Sequence, residues 1–291
     1  MSIQIIADSA CDIAPQSIQS LDLAILPLSI TIGSQHYLDG ETIQIDEIYD
    51  LMRRGVVPQT AQIPYERTYQ LFKSCLEEGR DVIYISFSSM MSGCFALAQI
   101  IARELLSEFP EGRIAVLDSK GGSGATGLLV LQALKMAEAG YSFENIRSEI
   151  QFMAEHIEHV FSIDELNWLA KGGRIPKIVG TLGSKLGIRP LLEVEKGTIV
   201  VKRMIRGRKN AMQAIADRII QQAANFPSQL IAIAHADDIA SAKSLEALII
   251  KGMPDCITTI CHIGGVLGIH LGLKGIGAFC LNQRPEHYCL T

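Results

Sequence analysis

Val82-Ile83-Tyr84-Ile85-Ser86-Phe87, followed by Ser88-Ser89-Met90-Met91-Ser92-Gly93 and then by the apolar, alanine-containing run Cys94-Phe95-Ala96-Leu97-Ala98, decides the fold. A short run rich in β-branched and aromatic residues, closed by serines, reads as a buried strand. The segment after it predicts a helix over Ser92–Ser107. Working outward, Ile3–Ala7, Ala24–Ile30 and Ile114–Leu117 have the same strand-like composition, and Tyr65–Glu78 and Ala125–Ala139 read as helices. Strands separated by helices need crossover connections, so the first half is expected to form a parallel sheet covered on both faces. In such a sheet ligands gather at the carboxyl ends of the strands.

Beyond a helical stretch at Ser142–Ile157 the rhythm changes to closely spaced strand candidates. These are Val160–Ile163, Ile188–Val194, Ile199–Met204, Leu230–His235, Thr258–Ile263 and Ile276–Leu281. Glu195-Lys196-Gly197 joins two of them as a hairpin turn would, which implies antiparallel neighbours. The fold expected is therefore α/β, with a parallel α/β/α domain over residues 1–158 and a C-terminal α/β mixed-sheet domain over 159–291. A chain of 291 residues accommodates two such units.

Composition narrows the function classes. Hydrophobic residues make up 48% of the chain and the mean hydropathy is +0.24, so much apolar surface must be covered or must line a hollow. No apolar run reaches the ~18 residues of a membrane-spanning helix, so stable membrane insertion is not expected. The start, Met1-Ser2-Ile3-Gln4, lacks a basic leader, and a cytoplasmic protein is expected. Seven scattered cysteines without CxxC spacing argue against a disulfide framework or a zinc ribbon. A net charge of −5 disfavours nucleic acid as a partner.

Several motifs carry chemistry. Ser88–Gly93 lies between a strand end and a helix start, where a hydroxyl and free N–H groups can hold an anion; plain helix capping by Ser92 would leave the same signature. Thr60-Ala61-Gln62-Ile63-Pro64 precedes another helix and would bring a second hydroxyl to the same rim, although Pro64 also suits a bare helix entry. Gly122-Ser123-Gly124-Ala125-Thr126-Gly127 satisfies GxGxxG, but it follows the fourth strand rather than the first, which makes a dinucleotide site the weaker interpretation. Lys171–Ile175 and Lys202–Lys209 are basic stretches suited to an anion or to a solvated face. Gly264–Gly272 packs glycines around His270 in an apolar, strand-like run, with a close approach implied. His270 could donate to an anion or sit satisfied in the core. His156 and His159, beside Glu155 and Glu158, read as an exposed helix face, since no third metal ligand is near. Ser92, His270 and Asp118 could instead form a serine-hydrolase triad, but no Gly-x-Ser-x-Gly elbow surrounds Ser92.

In order and spacing these segments resemble the DegV family of bacterial lipid-binding proteins, which includes the fatty-acid-carrying subunit of fatty acid kinase. The similarity runs nearly end to end, through Asp8-Ser9-Ala10-Cys11-Asp12, Thr60-Ala61-Gln62, Ser88–Gly93, Asp118-Ser119, Gly172-Gly173-Arg174-Ile175, Arg206–Ala211, His235-Ala236-Asp237 and Gly268-Ile269-His270-Leu271-Gly272. The resemblance implies a long-chain fatty acid such as palmitate held in an internal apolar tunnel. Thr60, Ser92, the helix-end amides from Gly93 and His270 would meet its carboxylate, while Arg174 and Arg206 would serve phosphoryl transfer or partner contact. It also implies no cofactor, no metal and no catalytic residue in this chain; the catalytic subunit of a fatty acid kinase would be the partner and would supply nucleotide and metal. The sequence departs from the family pattern at Ala61 and Ile63, at Leu273-Lys274 and at Ala125, around the expected head-group residues rather than at them.

Overall fold

The computed structural model describes residues 2–19, 21–175 and 187–290. Its first sheet has the strand order β2-β1-β6-β7, formed by β1 (Ile3–Asp8), β2 (Leu23–Leu26), β6 (Asp81–Ser86) and β7 (Ile114–Asp118), all parallel. Every residue of β6 is buried, as a strand covered on both faces requires. The crossovers are α2 (Tyr65–Glu77), before β6, and α3 (Cys94–Glu108), between β6 and β7. In α2, Thr68, Phe72, Cys75 and Leu76 are buried, the apolar stripe of a helix lying on a sheet. α4 (Ser123–Glu138) is buried along almost its whole length because it touches strands of both large sheets. In α5 (Phe143–His156), Ser142 caps the helix by accepting from the Asn145 N–H at 3.2 Å.

The expected single strand Ala24–Ile30 is instead two. Pro27 has no N–H to continue a ladder, and the chain leaves the parallel sheet there. It re-enters as β3 (Ser29–Ile32), the middle strand of an antiparallel three-stranded sheet with β4 (Gln35–Leu38) and β5 (Gln59–Ala61). Between these strands runs α1 (Ile45–Arg53), which buries Ile48, Tyr49 and Met52.

The second large sheet is mixed, in the order β10-β9-β8-β13-β11-β12, and only β11 and β12 run parallel. Its strands are β8 (Ile157–Ser162), β9 (Ile188–Glu195), β10 (Thr198–Arg206), β11 (Leu230–His235), β12 (Ile257–His262) and β13 (Ile276–Leu281). The β9–β10 hairpin turns through Lys196 and Gly197, both at positive φ, as a tight two-residue turn demands. Outside the sheet lie α6 (Asn167–Lys171), α7 (Arg208–Gln222) and α8 (Ile239–Gly252).

Two local expectations are overturned. Residues 264–272 are not strand-like: they form the helix α9 (Gly265–Leu271). Its glycines lie three apart on one face, where a β-carbon at Gly265 would meet Ile48 and one at Gly268 would meet Tyr49, so the helix packs directly on α1. His159 is not on an exposed helix face either. The helix ends at His156, and His159 is buried in β8, edge-on to Phe279.

Candidate functional site

The carboxyl end of β6, the strand β5 and the helix α9 meet at one cavity of about 410 Å³. Thr60, Ser92, Gly93, Arg174 and His270 all line it, although they come from four separate stretches of chain. The register of the small sheet, with Thr60 opposite Ile30, sets Thr60 at its place on the wall. Its Oγ1 lies 2.7 Å from Nε2 of His270. Arg206, by contrast, is exposed at the end of β10 and lies outside the cavity.

His270 is held from two sides. Gly172 packs against its ring so closely that a β-carbon there would stand 2.0 Å from Nδ1. Nδ1 is buried and finds no hydrogen-bond partner among the described residues. Burial, reinforced by the Arg174 guanidinium, lowers the His270 pKa to about 4, so the imidazole is neutral at pH 7. A neutral ring carries one N–H. With that proton on Nε2 it donates to Thr60, whose own hydroxyl proton is then free to donate into the cavity. Arg174 donates to the carbonyls of Gly172 and, at 3.2 Å, of Met91, which ties the end of α6 to the loop before α3.

Ser92 lies one residue before the helix cap. α3 begins at Cys94 with Gly93 as its N-cap, and Ser92 Oγ accepts from the Cys94 N–H at 3.3 Å and donates to Cys94 Sγ at 3.0 Å. The first N–H of α3 is thus taken up by the Ser92 hydroxyl, which sets Ser92 at the amino end of that helix. Gln62 also lines the cavity and abuts Gly93, where a β-carbon would lie 2.1 Å from Gln62 Oε1. The sequence alone gives Gln62 no role; its place two residues after Thr60 is the one signal it offers.

The rest of the lining is mostly apolar. Along β8, alternate residues His159 and Phe161 face the cavity, and Ile163 beyond the strand end continues the row. Leu169, Val194 and Ile199 add a second wall, and Ile263, Val266 and Leu267 a third. His159 is the polar exception on this row, a residue the sequence placed on an exposed helix face and not at the site. Burial lowers its pKa to about 4, and neither ring nitrogen has a hydrogen-bond partner among the described residues.

This geometry bears on the competing chemistries. Among the described residues no hydrogen bond joins Ser92 to His270, and Asp118 is engaged with Ser89 and Lys120 rather than with the imidazole, so the triad has neither its base nor its orienting carboxylate in place. The GxGxxG glycines are packing residues: a β-carbon at Gly124 would meet Phe279 and Ala232, and one at Gly127 would meet the Asp12 carbonyl. Among the described residues no group of acids, histidines and cysteines could hold a metal, and no helix is long and apolar enough to cross a membrane.

Comparison with known proteins gives a consistent picture. A sequence model described as "Uncharacterised protein, DegV family" matches residues 2–283. A DegV domain-containing protein of Clostridium acetobutylicum is 33% identical over 283 residues, covering 97% of this chain and 99% of its own length. Among solved structures, a stearic-acid-binding protein from Eubacterium ventriosum superposes with a TM-score of 0.88 at 26% identity, covering 95% of this chain and 97% of the other. A fatty-acid-binding DegV family protein from Streptococcus agalactiae gives 0.83 at 28% identity, with 98% and 100% covered.

Proposed function

The chain belongs to the DegV family, and from that premise we propose that it binds a long-chain fatty acid, with the tail in the apolar cavity and the carboxylate at Thr60, Ser92 and His270. The observation that carries this reading is the 2.7 Å pairing of Thr60 with a neutral His270 in the wall of an otherwise greasy cavity. The similar Eubacterium ventriosum and Streptococcus agalactiae proteins, which bind stearic acid and fatty acid respectively, support it.

The chemistry divides the work. Each methylene taken from water contributes about 0.8 kcal/mol, so the tail supplies most of the affinity. A carboxylate buried without donors would be very costly, so the head group must find hydrogen bonds and supplies orientation. The Thr60 hydroxyl is a suitable neutral donor, the Ser92 hydroxyl becomes one by turning from Cys94 Sγ, and the amides opening α3 at Gly93 add partial positive charge. Arg174, half-buried in the same wall, adds a full one.

On this reading the chain is a carrier rather than a catalyst. It would present the carboxylate to a separate kinase subunit, which supplies nucleotide and metal and forms the acyl phosphate. Exposed Arg206 is a contact for that partner, and Arg174 lies nearer the acid.

Native mass spectrometry of protein purified from cells tests the binding. It should show a co-purified long-chain acid, and the Thr60→Ala, Ser92→Ala double variant should arrive empty. A folded wild-type protein that carries no acid and takes up none from palmitate solution would overturn the proposal. The partnership is tested separately, by acyl-phosphate formation when the loaded protein, ATP and a fatty acid kinase catalytic subunit are mixed.

A further inference from the structure

The helix α9 carries His270 near its last turn, and what fixes its other end comes from the first half of the chain. The N–H of Gly264 donates to Asp12 Oδ1 at 2.8 Å, and the N–H of Val266 donates to Asp39 Oδ2 at 3.4 Å. Gly265 lies between them, so close to Asp39 that a β-carbon would stand 2.6 Å from Oδ1. Asp12 and Asp39 are both buried. Each is oriented by a serine: Ser123 donates to Asp12, and Ser9 donates to Asp39 at 2.8 Å. Ser9 in turn accepts from the N–H of Leu28, a cavity residue. Tyr49 completes the seat by donating to the Ile263 carbonyl at 2.8 Å and by packing on Gly268.

The opening amides of a helix have no partner within it, so whatever accepts from them sets where the helix begins. α9 has two turns, too short to bend, and a displacement at Gly264 is passed on to His270. Thr60 is tied to a different support, the sheet of β3, β4 and β5. The distance between Thr60 and His270 therefore depends on how these two supports are joined. Asp39 joins them, since it directly follows β4 and contacts α9.

We propose that Asp12 and Asp39 are positioning residues for the carboxylate site: by seating the first turn of α9 they set His270 against Thr60. This rests on the head-group reading given above. Neither aspartate touches the acid; each acts through the helix.

The test compares ligands with the same tail and different heads, palmitate and 1-hexadecanol. Wild type should bind the acid more tightly. Asp12→Ala and Asp39→Ala should each lose about tenfold in palmitate affinity while binding the alcohol as wild type does, and Asp12→Asn and Asp39→Asn, which keep an acceptor oxygen, should restore most of the loss. Equal weakening of both ligands, or no weakening of either, would overturn the inference. If an alanine variant does not fold, Ser9→Ala, which frees Asp39 to turn, should show a loss of about threefold confined to the acid, and its absence would count equally against the proposal. A wild type that does not distinguish acid from alcohol would overturn the head-group reading itself, a different failure from variants that discriminate as wild type does.

Discussion

The hydroxyl of Thr60, on a three-residue edge strand, stands 2.7 Å from Nε2 of His270, 210 residues further along the chain. With burial and Arg174 holding the imidazole neutral, the hydrogen bond is between uncharged groups, and its effect is to aim one hydroxyl rather than to store charge.

Replacing that hydroxyl while keeping the shape isolates it. Thr60→Val should weaken palmitate binding about tenfold, the ~1.4 kcal/mol expected of a lost hydrogen bond to a charged group. Thr60→Ser should bind as wild type does. Titration calorimetry reads both, and equal affinity of Thr60→Val and wild type would remove Thr60 from the site.

Gly172 and Gly173 are neighbours with different duties. A side chain at Gly172 meets the His270 ring, whereas Gly173 has a φ of +74° and a β-carbon there would meet nothing within 4 Å among the described residues. Gly172→Ala should therefore lose acid affinity by shifting His270. Gly173→Ala should cost about 1 kcal/mol of stability through backbone strain and leave the affinity unchanged. Thermal melts paired with binding titrations separate the two, and an unaltered affinity in folded Gly172→Ala would show that the ring is not held there.

His159 makes the protein sensitive to acid. Its pKa is about 4 in the fold and 6.5 when exposed, so the unfolded chain takes up the proton first. Stability from this group is intact above pH 6.5, falls as the pH drops below it, and reaches its full loss of about 3 kcal/mol below pH 4. Asp8 and Asp12, raised by burial to about 6 and about 7, act in the opposite direction, since the folded form keeps their protons. The difference between wild type and His159→Leu isolates the histidine. Denaturant unfolding from pH 7 to 4 should show the variant losing less stability than wild type, and parallel curves would refute the assignment.

The glycines of the GxGxxG segment answer to packing. Gly124→Val should destabilise by about 1–3 kcal/mol, because α4 would be pushed off Phe279 and Ala232. A dinucleotide should leave the melting temperature of wild type unchanged, whereas a specific ligand must raise it.

Much of this architecture was legible beforehand, and the misses have identifiable signals. The buried strand β6 with its serine loop, the Lys196-Gly197 hairpin and the helix beginning near Ser142 each follow from a local rule of composition or turn geometry. Pro27 already argued against one continuous strand over Ala24–Ile30. The three-residue spacing of Gly265 and Gly268 suited a helix face better than a strand, and the alternation His159, Phe161, Ile163 pointed to a strand. Arg174 and Arg206 read alike in the sequence, as members of two basic clusters; only one reached the cavity wall.

By itself the sequence determined the alternation of strands and helices, the parallel and mixed sheets, and, through its motifs in order, the family. These rest on interactions between near neighbours along the chain, where periodicity and turn chemistry are sufficient. Tertiary structure alone decided that Thr60 meets His270, that His159 is buried, that Asp12 and Asp39 seat α9, and that Arg206 stays outside. Such pairings join residues tens to hundreds of positions apart, and they are set by how two sheets and a glycine-faced helix pack together, which no local pattern encodes.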